Sequence, residues 1–289
     1  MMIHIGLTGW GDHDDLYQEG TPSRNKLRIY SRHFPLVEVD SSFYAIQSPG
    51  NYQKWAEMTP DDFSFVIKAY QGMTGHLRGK QAFASRGEMF QTFLESIQPV
   101  IRAGKLKAVL FQFPPWFECS RKNVDLLRDA KDQMGAIPVA LEFRHTSWFS
   151  PAMMDRTLKF MEEEGWIHSI CDEPQAGNGS VPTVLHSTHP DYCLVRFHGR
   201  NVGGWLDKGN PHWRDVRYLY RYSEEELLQW SENIRHLQQS SKEIGLLFNN
   251  NSGGDACANA KQMMQILGIR YESGDREPEQ LDLFDQLGN

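Results

Sequence analysis

Eight short β-rich runs, most of them separated by stretches of helical periodicity, limit what this sequence can become. They span Ile3–Thr8, Leu36–Asp40, Phe63–Lys68, Lys107–Phe113, Pro138–Arg144, Ile167–Asp172, Tyr192–His198 and Ile244–Asn249. The order strand, helix, strand feeds a parallel sheet, because parallel neighbours need a crossover. Eight such units within 289 residues fit one α/β domain, a TIM (β/α)8 barrel. The expected helices are Arg86–Ala103, Val124–Gln133, Pro151–Glu164, Ser223–Gln239 and Asp255–Leu267. Ser150 before Pro151 reads as an N-cap followed by an N1 proline, and Ser223 with Glu226 as a capping box. From residue 271 the chain turns acidic and polar, so the expected division is a barrel over 1–270 and a flexible acidic tail over 271–289.

Alternation inside the strands is the more informative layer, since successive side chains point to opposite faces. One face is apolar in five strands: Val37 and Val39; Phe63, Phe65 and Ile67; Val109, Phe111 and Phe113; Val139, Leu141 and Phe143; Cys193, Val195 and Phe197. That face belongs under an outer helix layer. The opposite face carries Glu38 and Asp40, Lys68, Gln112, Glu142 and Arg144, and Arg196 and His198, which must then point into the barrel. Barrel interiors are normally filled by branched apolar side chains, and charge gathered at the C-terminal strand ends marks the face where barrel enzymes work. The alternative is an internal ion-pair plug, with Glu142 paired to Arg144 or Arg196 as scaffolding, although buried pairs are seldom the most stabilising filling.

The candidate catalytic groups are Glu142, His198, Asp172, Lys68 and Asp40, which supply acids, bases and an amine whose pKa values neighbouring charges can tune. Trp10, Tyr44, Gln112, Arg144, His145, Arg196, Asn249 and Asn250 are the candidate substrate-binding residues. Trp10, Tyr44, Trp148 and Trp205 also fall in strand-end loops where a ring could stack. The chain has 30 Lys and Arg against 37 Asp and Glu, a formal charge of −7. No global positive field draws it to nucleic acid or membrane, so an anionic partner must be held locally, by Arg forks and Lys68. A divalent metal on Glu142, Asp172 and His198 is conceivable in ligand chemistry but not favoured. There is no HxH or HExxH, and Lys68 and Arg144 compete for the charge and space. No cofactor is indicated. The four scattered cysteines form no CxxC, and neither a signal peptide nor a spanning run is evident, which reads as a reduced, cytoplasmic protein.

The segments Gly6-Leu-Thr-Gly-Trp10, Phe34-Pro-Leu-Val-Glu-Val-Asp-Ser-Ser-Phe-Tyr44, Phe65-Val-Ile-Lys68, Phe111-Gln-Phe-Pro-Pro115, Glu142-Phe-Arg-His-Thr-Ser-Trp148, Val195-Arg-Phe-His-Gly199 and Phe248-Asn-Asn250 resemble the YecE-like family, also called domain of unknown function 72 (DUF72). The similarity runs from Ile3 to Leu267. It implies a TIM barrel and little about reaction. Two positions depart from the family pattern: Asp40 stands where Asn is usual, and Thr74-Gly-His76 interrupts a Thr-His pair.

In the tail, Gln280-Leu-Asp-Leu-Phe284 resembles the bacterial sliding-clamp-binding pentapeptide of pattern Gln, Leu, Ser or Asp, Leu, Phe. Gln280 would make polar contacts, and Leu281, Leu283 and Phe284 apolar ones. The other reading folds these residues back on the barrel. Together the features give three expectations, in order. The first is an enzyme on an anionic, phosphate-bearing substrate, with nucleic acid in view and a phosphodiester or glycosyl-phosphate hydrolysis to test. The second is a sugar or sugar-phosphate isomerase or lyase using Lys68, Glu142 and His198. The third is a non-enzymatic, clamp-associated DNA-binding factor.

Overall fold

A computed structural model describes residues 2–79, 82–207, 209 and 211–272; Gln280, Leu281, Leu283 and Phe284 lie outside the described residues. Eight parallel strands close into a barrel in sequence order. They are β1 (Met2–Thr8), β2 (Leu36–Val39), β3 (Ser64–Lys68), β4 (Leu106–Gln112), β5 (Val139–Glu142), β6 (Ile167–Asp172), β7 (Tyr192–Phe197) and β8 (Glu243–Phe248). Around them lie α1 (Ser23–Tyr30), the short α2 (Ser41–Tyr44), α3 (Pro49–Glu57), α4 (Arg86–Arg102), α5 (Arg121–Met134), α6 (Met154–Glu163), the short α7 (Val202–Leu206) and α8 (Trp213–Val216), α9 (Glu224–Leu237) and α10 (Asp255–Ile266).

Serine starts several of these helices for one reason, namely that its hydroxyl accepts an otherwise orphaned N–H. Ser48, Ser85 and Ser120 accept from Asn51, Glu88 and Asn123, and Ser223 with Glu226 forms the full capping box. Ser150 does not do so. Its hydroxyl donates to the Ser147 carbonyl, closing a 3-10 turn over Thr146–Phe149, and α6 begins only at Met154. Where a helix would follow β6, the described chain has only a 3-10 turn at Gly177–Gly179; the β6–β7 connection instead runs as a loop beside the barrel mouth.

The alternation divides the core as its period requires. Outward side chains such as Val39, Ile67, Phe111, Leu141, Val195 and Phe248 pack under Phe93, Ile97, Leu127, Met161, Trp230 and Ala260 of the helices. Each such burial contributes about 1.5–3 kcal/mol. Inside, Leu36, Val66, Leu110, Ala140, Ile167, Leu194 and Leu247 fill the lower barrel. The β8–β1 wall contributes little bulk there. A Cβ on Gly245 would stand 1.9 Å from the Tyr192 hydroxyl, and one on Gly6 would stand 1.8 Å from the Leu36 carbonyl oxygen.

Candidate active site

Above the apolar plug, the inward positions of β2, β5 and β7 place Glu38, Glu142 and Arg196 in one layer, each 0–1% exposed. Arg196 reaches across the barrel to Glu38, donating Nε at 2.8 Å and Nη2 at 2.7 Å, and donates Nη1 to Glu142 at 2.7 Å. Arg144, just past β5, donates Nε to the other Glu142 oxygen at 2.7 Å and also binds Glu173. Ser169 donates to Glu142 at 3.1 Å. The result is a chain of alternating charge, Glu38–Arg196–Glu142–Arg144–Glu173, in which every Glu142 oxygen accepts two donors. Burial by itself would raise the Glu142 pKa, but Arg144 and Arg196 outweigh it and hold the carboxyl well below the usual range. Glu142 is thus a fixed anion, with no lone pair left for a substrate. The scaffolding alternative fits it better than a catalytic role, and it likewise removes the Arg144 and Arg196 forks as ready oxyanion binders.

His198 sits fully buried against this chain. Its Nε2 accepts from Arg144 Nη2 at 2.8 Å and lies 3.4 Å from Arg196 Nη1, while the Asn249 amide lies 2.9 Å from Nδ1. With two guanidinium groups aimed at Nε2, the ring proton belongs on Nδ1, and the amide serves it best with its oxygen turned inward. Burial, then Arg144 and Arg196, push its pKa well below the ordinary value. His198 is a neutral acceptor held in place, which makes it a poor proton donor.

Lys68, at the inward end of β3, has a different environment. Its half-buried ammonium lies 4.8 Å from the Phe43 ring centre and makes no ion pair or hydrogen bond with any described residue. Loss of water, then repulsion from Arg196, lowers its pKa to about 8, with Glu38, Glu142 and Asp40 pulling the other way. Asp40, the N-cap of α2, is raised by burial and by Glu38 and opposed by Lys68. Gln112 lies on the same inner face, in register with Glu142. His76 bonds Thr74 at 2.9 Å and is pushed down to about 4 by burial and then by Lys68 and Arg144, so it too faces the mouth. Trp10 packs edge-on against Trp55 at the rim.

Other expected site residues are elsewhere. Asp172 is paired in register with outward Phe197, while its neighbour Cys171 is paired with inward Arg196. Asp172 therefore leaves the barrel axis and binds Arg200 at 3.0 Å, because residues 167, 169 and 171 already take the inner face. His145 caps the 3-10 turn through Ser147, and Asn250 is buried, tying the Tyr220 carbonyl to Asn259. Tyr44 is 64% exposed and lines a mainly apolar hollow of about 420 Å³ outside the barrel, with Ile46, Tyr70 and Phe83. Trp148 is core, stacked on Phe143 at 4.1 Å. The metal trio Glu142, Asp172 and His198 does not assemble. Cys171 takes the place of Asp172, its sulfur within 4.8 Å of ligand atoms of Glu142 and His198. That donor set does not suit a cation, since two guanidinium groups already occupy the carboxylate and Nε2.

Sequence reading missed Glu173 and Arg217, and it left Glu38 out of the site although alternation placed it inside. Arg217 lies in the irregular β7–α9 connection, where no periodicity could point to it.

Fold and mouth together define a TIM-barrel protein with a charged C-terminal face. The chain belongs to the DUF72 family, described as proteins of unknown function, whose model matches residues 4–282. The UPF0759 protein YunF of Bacillus subtilis is 57% identical over 284 residues, covering 98% of this chain and 100% of that protein. YecE of Escherichia coli K12 is 28% identical, covering 68% and 74%. Crystal structures of DUF72 family proteins from Enterococcus faecalis and Thermotoga maritima align with TM-scores of 0.89 and 0.79, at 38% and 31% identity. They cover 96% and 93% of this chain, and 99% and 100% of theirs. No described helix is long and apolar enough to cross a membrane.

Proposed function

We propose that this chain is an enzyme acting on a small anionic carbonyl compound, with Lys68 as the reacting amine. The observation that carries the reading is the contrast at the mouth: Arg144 and Arg196 are paired with glutamates, while Lys68, at the inward end of β3, forms no ion pair with a carboxylate among the described residues. A desolvated amine beside another cation is the arrangement that frees a lysine lone pair near neutral pH. That lone pair would attack a carbonyl carbon, forming the C–N bond as the C=O π pair moves to oxygen and takes a proton. Loss of water and of the nitrogen proton then gives an imine, through which a neighbouring C–H or C–C bond can be cleaved. Asp40, whose pKa burial raises and which interacts with Lys68, is the candidate to carry those protons. The lyase or isomerase expectation thereby moves ahead of hydrolysis, because Glu142 and His198, the base and acid a hydrolase would need, are engaged with arginines.

The test is reductive trapping. Borohydride added with glycolaldehyde phosphate or pyruvate should fix a mass increment on the peptide containing Lys68, and Lys68→Met should remove it. Equal labelling of surface lysines with none at Lys68 would defeat the proposal. A second, separate proposal rests on Gln280–Phe284: the tail recruits a bacterial sliding clamp, linking the enzyme to DNA metabolism.

A further inference from the structure

One guanidinium over the mouth resembles none of the others. Arg217 follows α8 in the connection that leads from β7 to α9. Its Cζ lies 4.7 Å from the Trp205 ring centre, 4.4 Å from Trp213 and 4.3 Å from Tyr218. Three rings therefore surround one cation. Arg217 makes no ion pair with any described residue, and its buried Nε has no hydrogen-bond partner. The same roof reaches the site below: the Tyr218 ring lies 5.8 Å from His198, and Trp205 also lies 5.8 Å from the Arg144 Cζ. Trp205 itself is 6% exposed and anchored by its indole N–H to the Gly179 carbonyl at 2.9 Å, so the cage is tied to the β6–β7 loop.

Aromatic faces satisfy a guanidinium above and below its plane, but they leave its N–H edge without an acceptor. A half-buried cation with no carboxylate in ion-pair contact among the described residues is costly; a hydrogen bond with Tyr218 and the charge of Glu173 offset this only in part, and Nε keeps no partner. The geometry points to Arg217 as the residue that receives the anionic group of the substrate, its N–H edge binding an oxyanion, carboxylate or phosphate, while the carbonyl end lies toward Lys68. This rests on the Lys68 reading for the reacting end only; the anion-binding half stands on the cage.

Two measurements separate the halves. First, inorganic phosphate and acetate are titrated against the full-length protein and against Arg217→Met and Arg217→Lys, with binding followed by calorimetry and thermal melting. The parent should bind one of the two anions, which identifies the oxyanion class. Arg217→Met should weaken that binding at least tenfold, and Arg217→Lys should recover only part of it, because an ammonium lacks the planar fork. Second, borohydride trapping is run with neutral glycolaldehyde and with glycolaldehyde phosphate. In Arg217→Met the half-saturating concentration should rise for the phosphate ester and stay level for the neutral aldehyde. No anion binding by the parent, equal binding by parent and Arg217→Met, or failure of Arg217→Met to fold, which would make the residue structural, overturns the inference. Intact anion binding with no trapping of either aldehyde would instead sink the Lys68 reading and leave Arg217 standing.

Discussion

The floor of the barrel mouth and its open half are built from the same residue types but solve opposite problems. On the floor, Glu38, Glu142 and Glu173 alternate with Arg196 and Arg144, and each charge meets another within hydrogen-bonding distance. In the open half, Lys68 and Arg217 lean on aromatic rings and have no carboxylate within ion-pair distance among the described residues. A paired buried charge is a structural commitment, because removing either partner strands the other. An unpaired one is a standing cost that only a ligand relieves. Which charges are paired therefore separates scaffold from site better than which charges are buried.

The largest test of that contrast is Glu142→Gln. It leaves two buried guanidinium groups short of an anion and should cost about 3–5 kcal/mol of folding stability in denaturant titrations. Because the folded pKa of Glu142 is depressed, its contribution is fully present above the unfolded value near 4.5 and fades as pH falls toward the folded one. The gap between parent and variant should accordingly close in acid. A variant that melts like the parent at pH 7 but binds no ligand would reverse the roles assigned to floor and rim.

Lys68→Met should do the opposite. The folded pKa near 8 is also depressed, but for a base this means that the charged form is the disfavoured one. Its cost is present at pH 7 and vanishes as pH rises from about 8 toward the unfolded value. The variant should be more stable than the parent by about 1–2 kcal/mol at pH 7, discounted for partial solvent access. That margin should shrink between pH 8 and 10, while trapping at this position is lost. A destabilised Lys68→Met would place the amine with the scaffold.

These two residues also mark where the sequence could be read and where it could not. Period-two alternation put Lys68, Glu142 and Arg196 inside the barrel correctly, since a strand with one apolar face leaves its other face no choice. Alternation does not say which inward charges find partners, because that depends on reach across strands distant in sequence: Arg196 and Glu38 are 158 positions apart. Asp172 stands at a strand end yet turns away from the mouth, because strand parity gives the inward position to its neighbour Cys171. Arg217 had no period to reveal it, and the cage that singles it out joins Trp205, Trp213 and Tyr218 from irregular chain.

The smallest expected effect on the barrel comes from its tail. A peptide covering residues 277–289 should bind purified bacterial clamp at micromolar strength, on the order of −8 kcal/mol. Leu283→Ala with Phe284→Ala should abolish this and leave the melting temperature of the full chain unchanged. A lowered melting temperature would mean that these side chains dock on the barrel itself, and the proposed tie to DNA metabolism would fall.

Glu38 stands on β2 and Arg196 on β7, with β1 and β8 between them, so their contact spans two intervening strands. Those strands add little bulk of their own lower down, where the places a side chain would take at Gly6 and Gly245 are filled instead by the Leu36 carbonyl oxygen and the Tyr192 hydroxyl. At the level of the charges the Arg196 side chain itself bridges that wall, and the barrel carries its negative and positive groups as one connected circuit rather than as isolated pairs around its circumference.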